Sequence, residues 1–123
     1  MSREDNTVFV LQKSIEQFKI KVSKESIKED LLSNPYYPSL KSVCDTLKKY
    51  NVEYYPLKLT TEEIKKLELP YIAHLKISKG QLAFVKEIKK GKVTYFVSNN
   101  KPITRDFENF SKLLSGAVVL MQA

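Results

Sequence analysis

Two side chains that could perform chemistry occur once each in the sequence: Cys44 is the only cysteine and His74 is the only histidine. A thiol activated by an imidazole is the minimum machinery of a cysteine nucleophile and its general base. The same pair cannot build a zinc site of nitrogen and sulfur ligands, and one cysteine cannot form an internal disulfide. The sequence therefore raises a thiol enzyme as one hypothesis, and it predicts no metal and no other cofactor.

The apolar residues around Cys44 favour a structural role for its thiol. Those residues recur with it at intervals of three and four: Leu40, Val43, Cys44, Leu47 and Tyr50. This spacing is typical of the buried face of a helix, and Ser39 is well placed to cap that helix. A thiol on such a face packs as a small apolar group. The pattern predicts that Cys44 is buried.

Two shorter patterns predict helices before this one. Apolar residues at steps of three and four indicate a first helix that begins near Asp5 to Thr7 and runs to about Lys19. A second helix follows Ser23 or Ser26, and Asn34 and Pro35 end it. The two prolines of "NPYYPSL" predict an extended connection to the helix that carries Cys44.

After Val52 the hydrophobic period changes from helical spacing to alternation, which indicates strands. A short helix follows Thr60, and a last helix begins at Asp106 and ends at Gly116. The strand candidates are "VEYYPLKL", "YIAHLKI", "QLAFVKEI", "KVTYFVS" and "AVVLM". The separation of helices and strands predicts an α+β fold in which N-terminal helices pack against an antiparallel sheet.

Length and charge limit the remaining possibilities. The 123 residues predict one domain, and the apolar runs are too short to cross a bilayer. The net charge of +7 raises nucleic acid as a partner. However, the lysines alternate with acidic residues, and only Arg3 and Arg105 are arginines, so a solvated lysine-rich surface is favoured and no nucleic acid is expected.

Several motifs, in their order, resemble the papain-like peptidase domain of peptide-exporting ABC transporters, the bacteriocin-processing peptidases that cleave double-glycine leaders. The motifs are "YYPSLKSVCDTLKKYNVE", "LELPYIAHL", "GQLAFVKEI" and "FENFSKLLSGAVVLM". The form fused to vitamin K epoxide reductase and thioredoxin-like domains is particularly similar. The resemblance implies a papain-like fold over residues 1–123, within a longer membrane-associated protein. It also implies a cytoplasmic location, or a soluble domain attached to the inner membrane.

The resemblance further implies where a catalytic triad would lie. The nucleophilic cysteine of the family follows an Asp at the start of the first helix, which corresponds to Asn6 after Asp5. The general-base histidine opens a strand at the position of Gln81, and its orienting Asp corresponds to Asn99. None of these amides can act as nucleophile or base at neutral pH. His74 matches an accessory histidine of the family, whereas Cys44 matches no catalytic position.

These observations predict a catalytically inactive module that binds or recruits a peptide, such as the leader segment of an exported peptide, for an exporter or a fused redox partner. The candidate contacts are Tyr36, Tyr37, Tyr54, Tyr55 and Gln81. The same tyrosines are equally compatible with a partly buried core and its rim. Two alternatives stay open at this point, an active cysteine peptidase that uses Cys44 and His74, and a basic nucleic-acid-binding domain.

Overall fold

The computed structural model describes residues 3–78, 80–99 and 101–122, and the side chains of residues 3–5 fall outside that description. The helices are α1 (Arg3–Gln17), α2 (Lys24–Leu32), α3 (Leu40–Lys49), α4 (Thr61–Lys65) and α5 (Phe107–Ser111). The strands are β1 (Glu53–Lys58), β2 (Tyr71–Leu75), β3 (Gln81–Lys89), β4 (Lys92–Phe96), β5 (Ile103–Asp106) and β6 (Leu114–Gln122). The predicted α+β class is confirmed.

The strands form one antiparallel sheet in the order β1-β6-β2-β3-β4-β5. The last strand of the chain, β6, therefore lies between β1 and β2, which explains why its sequence is strongly apolar. Strand β1 is at an edge, where Pro56 can be accommodated without loss of a ladder hydrogen bond inside the sheet.

Side-chain alternation gives the sheet two apolar faces. The helical face joins strand residues to α1, α2 and α3, and its cluster includes Ile72, Leu82, Phe84, Val119, Leu11, Leu31 and Leu47. The opposite face is covered by the two short helices, and its cluster includes Tyr71, Ala83, Val85, Val118, Ile64 and Phe110. His74 and Leu82 are paired across β2 and β3, so both lie on the helical face.

Three of the helix starts follow the predicted capping residues. The hydroxyl of Ser23 accepts the N–H of Ser26, and the hydroxyl of Ser39 accepts the N–H of Ser42. Thr60 forms a reciprocal capping box with Glu63. These contacts satisfy backbone N–H groups that a first helical turn leaves without partners, so a local sequence signal was sufficient to predict them.

The connection "NPYYPSL" is not extended, as its prolines had predicted, but folds into turns. The side-chain oxygen of Asn34 accepts the N–H of Tyr36, and its backbone oxygen accepts the N–H of Tyr37. Asn34 also donates from its amide to Asp45 of α3 at 3.0 Å. The asparagine thus folds the segment locally and ties it to α3, which overrides the proline preference.

Other helix boundaries and caps also differ from the predicted ones. Helix α1 begins at Arg3, ahead of the expected capping residues, and ends at Gln17. Asp106 directly precedes α5, as predicted, but its side chain makes no capping hydrogen bond. It also ends β5, an exposed edge strand whose sequence has no alternating pattern that would have predicted it. Gly116 lies inside β6 instead of ending α5, because Leu114 already pairs with Leu75 of β2.

Cys44 is buried, as its position in the helical stripe predicted. Only 7% of the residue is exposed, and it packs in the cluster on the helical face. Burial, and secondarily the charge of Asp45, raises the pKa of the Cys44 thiol to about 11. The thiol is therefore protonated at neutral pH, and a protonated thiol is a poor nucleophile.

We expect Cys44 in the folded protein to react slowly with iodoacetamide at pH 7 and rapidly once the protein is unfolded in urea. Substitution by Ala should lower the free energy of unfolding by about 1 kcal/mol, and Ser should lower it further because it buries a hydroxyl. Alkylation kinetics and urea titrations measure both effects. Equal alkylation rates in folded and unfolded protein would contradict the buried position.

Candidate functional site

A cleft of about 420 Å³ opens between the helical half of the molecule and one end of the sheet. The sheet contributes Lys58, His74, Gly80, Leu82, Ser115 and Ala117 to its walls, and the helical half contributes Thr7, Pro38, Ser39 and Leu40. The ends of β1 and β2 and the starts of β3 and β6 meet there. The cleft therefore lies between the helices and the sheet, beside Thr7, the residue that follows Asn6.

Asn6 joins α1 to the strands beside this cleft. Its side-chain nitrogen donates to the backbone oxygens of Leu82 at 3.0 Å and Val97 at 2.5 Å. Its side-chain oxygen accepts the N–H of Leu82 at 2.8 Å. Only 1% of Asn6 is exposed, so these bonds are shielded from water.

The ladder between β3 and β4 explains why an asparagine occupies this position. The pairing ends at Phe84 and Phe96, and Leu82 lies beyond that end while it is almost fully buried. Its backbone N–H and oxygen need partners there. A carboxamide carries the same donor and acceptor as a peptide group, so Asn6 continues the ladder. The weak donor and acceptor of a thiol could not replace these three bonds.

The other two proposed triad positions have separate environments. Gln81 opens β3 opposite Leu75, and strand alternation places it on the face opposite that of Leu82. Asn99 is exposed with a φ of 44°, and its side-chain oxygen accepts the N–H of Lys101 in a turn. Asn6 contacts the neighbour of Gln81, yet none of the three side chains is among the described walls of the cleft. Their assignment as former triad positions stays a prediction.

The polar wall of the cleft is a cluster that sequence reasoning did not identify, formed by Lys58, His74 and Ser115. The Nδ1 atom of His74 lies 2.8 Å from the Ser115 hydroxyl oxygen. The ammonium of Lys58 donates to the backbone oxygen of Ser115 at 2.8 Å. The three residues come from three different strands, so no local spacing in the sequence could have announced the cluster.

A bulge in β6 creates the opening at this cluster. Ala73 pairs with Val118 and Leu75 pairs with Leu114, so three residues of β6, Ser115 to Ala117, lie opposite the single residue His74. Bulges interrupt the ladder locally and occur often beside functional sites. Here the interruption brings the Ser115 hydroxyl to the imidazole.

The candidate tyrosines divide into two pairs. Tyr36 is 54% exposed and Tyr55 is 43% exposed. The ammonium of Lys41 lies over the Tyr36 ring, 4.8 Å from its centroid. Tyr37 and Tyr54 are half-buried and pack against the helical-face cluster. Only Tyr36 and Tyr55 therefore present mainly exposed rings, and the core interpretation applies to the other pair.

The structure also bears on three other possibilities: a thiol enzyme that uses Cys44 and His74, a metal site and a membrane-spanning helix. Cys44 is not among the cleft walls that include His74, so the structure does not assemble the two into the pair that a thiol enzyme needs. Among the described residues, no three His, Cys, Asp or Glu side chains are grouped so as to hold a metal ion. No described helix is both long and apolar enough to cross a membrane.

Comparisons with known proteins agree on the family of the whole chain. The model of the Peptidase C39 family matches residues 1–123. No curated protein matches the sequence at a significant level.

Among solved structures, a double glycine motif protease from an AMS/PCAT transporter, in complex with the leader peptide, is 16% identical, with a TM-score of 0.84 over 98% of this chain and 86% of that chain. The peptidase domain of Streptococcus ComA, a bifunctional ABC transporter in a quorum-sensing pathway, is also 16% identical, with a TM-score of 0.80 over 98% and 93%. The N-terminal peptidase C39-like domain of a toxin secretion ATP-binding protein from Vibrio parahaemolyticus is 15% identical, with a TM-score of 0.71 over 99% and 97%. The papain-like fold of these peptidase domains is therefore the fold of this chain.

We expect Asn6→Ala to lower the free energy of unfolding by about 3 kcal/mol, because it leaves buried backbone groups of Leu82 and Val97 without partners. Asn6→Asp should cost at least as much, since it turns an oxygen toward two carbonyl oxygens while it preserves size. Urea titration measures both variants. Gln17→Ala, at the exposed end of α1, is the control and should change stability by less than about 0.5 kcal/mol. An equally small effect of Asn6→Ala would refute the role of Asn6 in the ladder.

Proposed function

The chain belongs to the Peptidase C39 family, and on that premise we propose that it is a catalytically inactive member that binds an extended, leader-type peptide in the cleft beside Asn6. The observation that carries the proposal is the position of this asparagine. It occupies the place that the family resemblance assigns to the nucleophile, and its carboxamide is committed to strand backbone. A leader peptide could therefore be held there without being cleaved.

The loss of catalysis follows from the residues available for it. Asn6 supplies no nucleophile, and Gln81 and Asn99 cannot accept a proton at neutral pH. Cys44 has the reactive atom but lies in the core with a raised pKa, and it matches no catalytic position of the family. Activity would require the thiol to leave the core and reach His74.

The cleft has properties that suit a peptide. Its volume falls in the usual range of ligand sites, roughly 300–1,000 Å³. Pro38 and Leu40 form an apolar part of the helical wall, and Leu82 and Ala117 add apolar surface beside the polar cluster on the sheet. The exposed ring of Tyr36 precedes Pro38 by two residues and offers a further apolar contact near one wall.

The relatives support a peptide ligand and an exporter context. One related protease was solved with its leader peptide, and others are domains of ABC transporters or toxin secretion proteins. By analogy, this domain recruits a peptide for membrane-embedded exporter or redox domains in the same protein. It would act by raising the local concentration of that peptide at the neighbouring domain.

We expect a blocked peptide with an internal Gly-Gly to bind to this domain and to remain intact after prolonged incubation, as measured by NMR titration and mass spectrometry. Ala117→Leu should weaken binding at least tenfold because it fills the cleft. Thr104→Leu is the matched control, since it adds similar bulk on edge strand β5 away from the cleft.

Two outcomes would replace the proposal. Cleavage that survives purification and disappears in Cys44→Ala would establish the active peptidase. Binding of duplex or single-stranded nucleic acid that weakens steeply with salt, without any peptide binding, would favour the basic nucleic-acid-binding domain.

A further inference from the structure

From the cluster of Lys58, His74 and Ser115 we infer a carboxylate-binding site, and the ligand group is the free C-terminal carboxylate of a peptide in the cleft. This inference rests on the proposed function, because it specifies which end of the peptide the site holds. The lack of catalytic residues does not by itself predict that the cleft binds a carboxylate, so this inference goes beyond the proposed function.

Lys58 is held so that its charge faces the cleft. It is the last residue of β1, and its ammonium donates one hydrogen bond to the backbone oxygen of Ser115. An ammonium has three donors, so this anchoring bond leaves others for a ligand. A cation that is already positioned loses less conformational freedom on binding than a mobile surface lysine does.

Two glycines provide the space in which the basic side chains lie. A Cβ atom on Gly80 would lie only 2.8 Å from Nε2 of His74, a distance that real contacts essentially never show. A Cβ atom on Gly116 would lie 3.0 Å from the backbone oxygen of Leu59, and 3.3 Å from Cε and 3.4 Å from Nζ of Lys58. Both glycines have positive φ angles, of 98° and 101°. The bulge at Gly116 and the turn at Gly80 therefore leave room for the side chains of Lys58 and His74 beside the cleft.

The other described wall groups also suit an anion. They include the hydroxyls of Thr7, Ser39 and Ser115, and no carboxylate is among the cleft walls that the structure describes. Leu40 begins α3, a helix of 10 residues, so the positive end of its dipole adds to the same potential. The ammonium of Lys58 matches the single charge of a carboxylate.

A peptide always brings such a group at its C-terminus, and hydrogen-bond donors that converge on that terminus are a recurrent mode of peptide recognition. An acidic side chain or a small free carboxylate would present the same chemistry. The inference commits to the peptide terminus, because the remaining walls of the cleft are mainly apolar and suit the uncharged residues that precede such a terminus.

The test compares three probes on the unmodified protein by NMR, with the backbone amides of Gly80, Ser115 and Gly116 as reporters. The probes are an acetylated peptide that ends in Gly-Gly with a free carboxylate, the same peptide with a C-terminal amide, and N-acetylglycine. The free acid should bind about tenfold more tightly than the amide, as expected for one charge-assisted hydrogen bond.

Variants then assign the difference to the cluster. Lys58→Gln should abolish the preference for the free acid, and Lys28→Gln, which removes the same charge from the exposed surface of α2, should preserve it. Because the acid and amide are first compared on the unmodified protein, the inference stays testable even if Lys58→Gln fails to fold.

Other results overturn the inference in distinguishable ways. Equal affinities for acid and amide would refute the carboxylate site and leave the proposed peptide-binding function intact. An amide-capped peptide with glutamate before Gly-Gly that matches the free acid would refute the terminal carboxylate as the source. Binding of N-acetylglycine alone would refute both the peptide terminus and the proposed function.

Discussion

The contact between Asn6 and the backbone of β3 and β4 is the constraint on which the site depends. It fixes α1 against the sheet at the point where the β3–β4 ladder ends. Thr7, next to Asn6, and Leu82, which Asn6 contacts, both line the cleft. Without this contact, buried backbone groups would lack partners and the helical half would lose its fixed distance from the sheet.

The hydrogen bonds of Asn6 also determine what chemistry is possible at the start of α1. A nucleophile at the start of α1 would have to point into the cleft and ionise, whereas a carboxamide in the ladder must point into the sheet and stay neutral. The basic residues of the described cleft walls come instead from the sheet, at Lys58 and His74, with Ser115 beside them. In the function that we propose, this arrangement binds an anionic group and does not attack a peptide bond.

Strand order explains how that wall is assembled. Strand β6 pairs with β1 on one side and with β2 on the other, so its bulge brings Ser115 between Lys58 and His74. In the sequence, Ser115 is 57 positions from Lys58 and 41 positions from His74. Neither the bulge nor the cluster would exist if the last strand had joined an edge of the sheet.

The sequence by itself determined the features that depend on neighbouring residues. Capping hydroxyls at Ser23, Ser39 and Thr60 predicted helix starts, and the helical stripe predicted the burial of Cys44, because both signals act within a few turns. Only the tertiary structure decided the environment of Asn6, the strand that contains Gly116 and the polar wall of the cleft. These depend on which strands become neighbours, and pairing between residues far apart in the chain leaves no local periodicity.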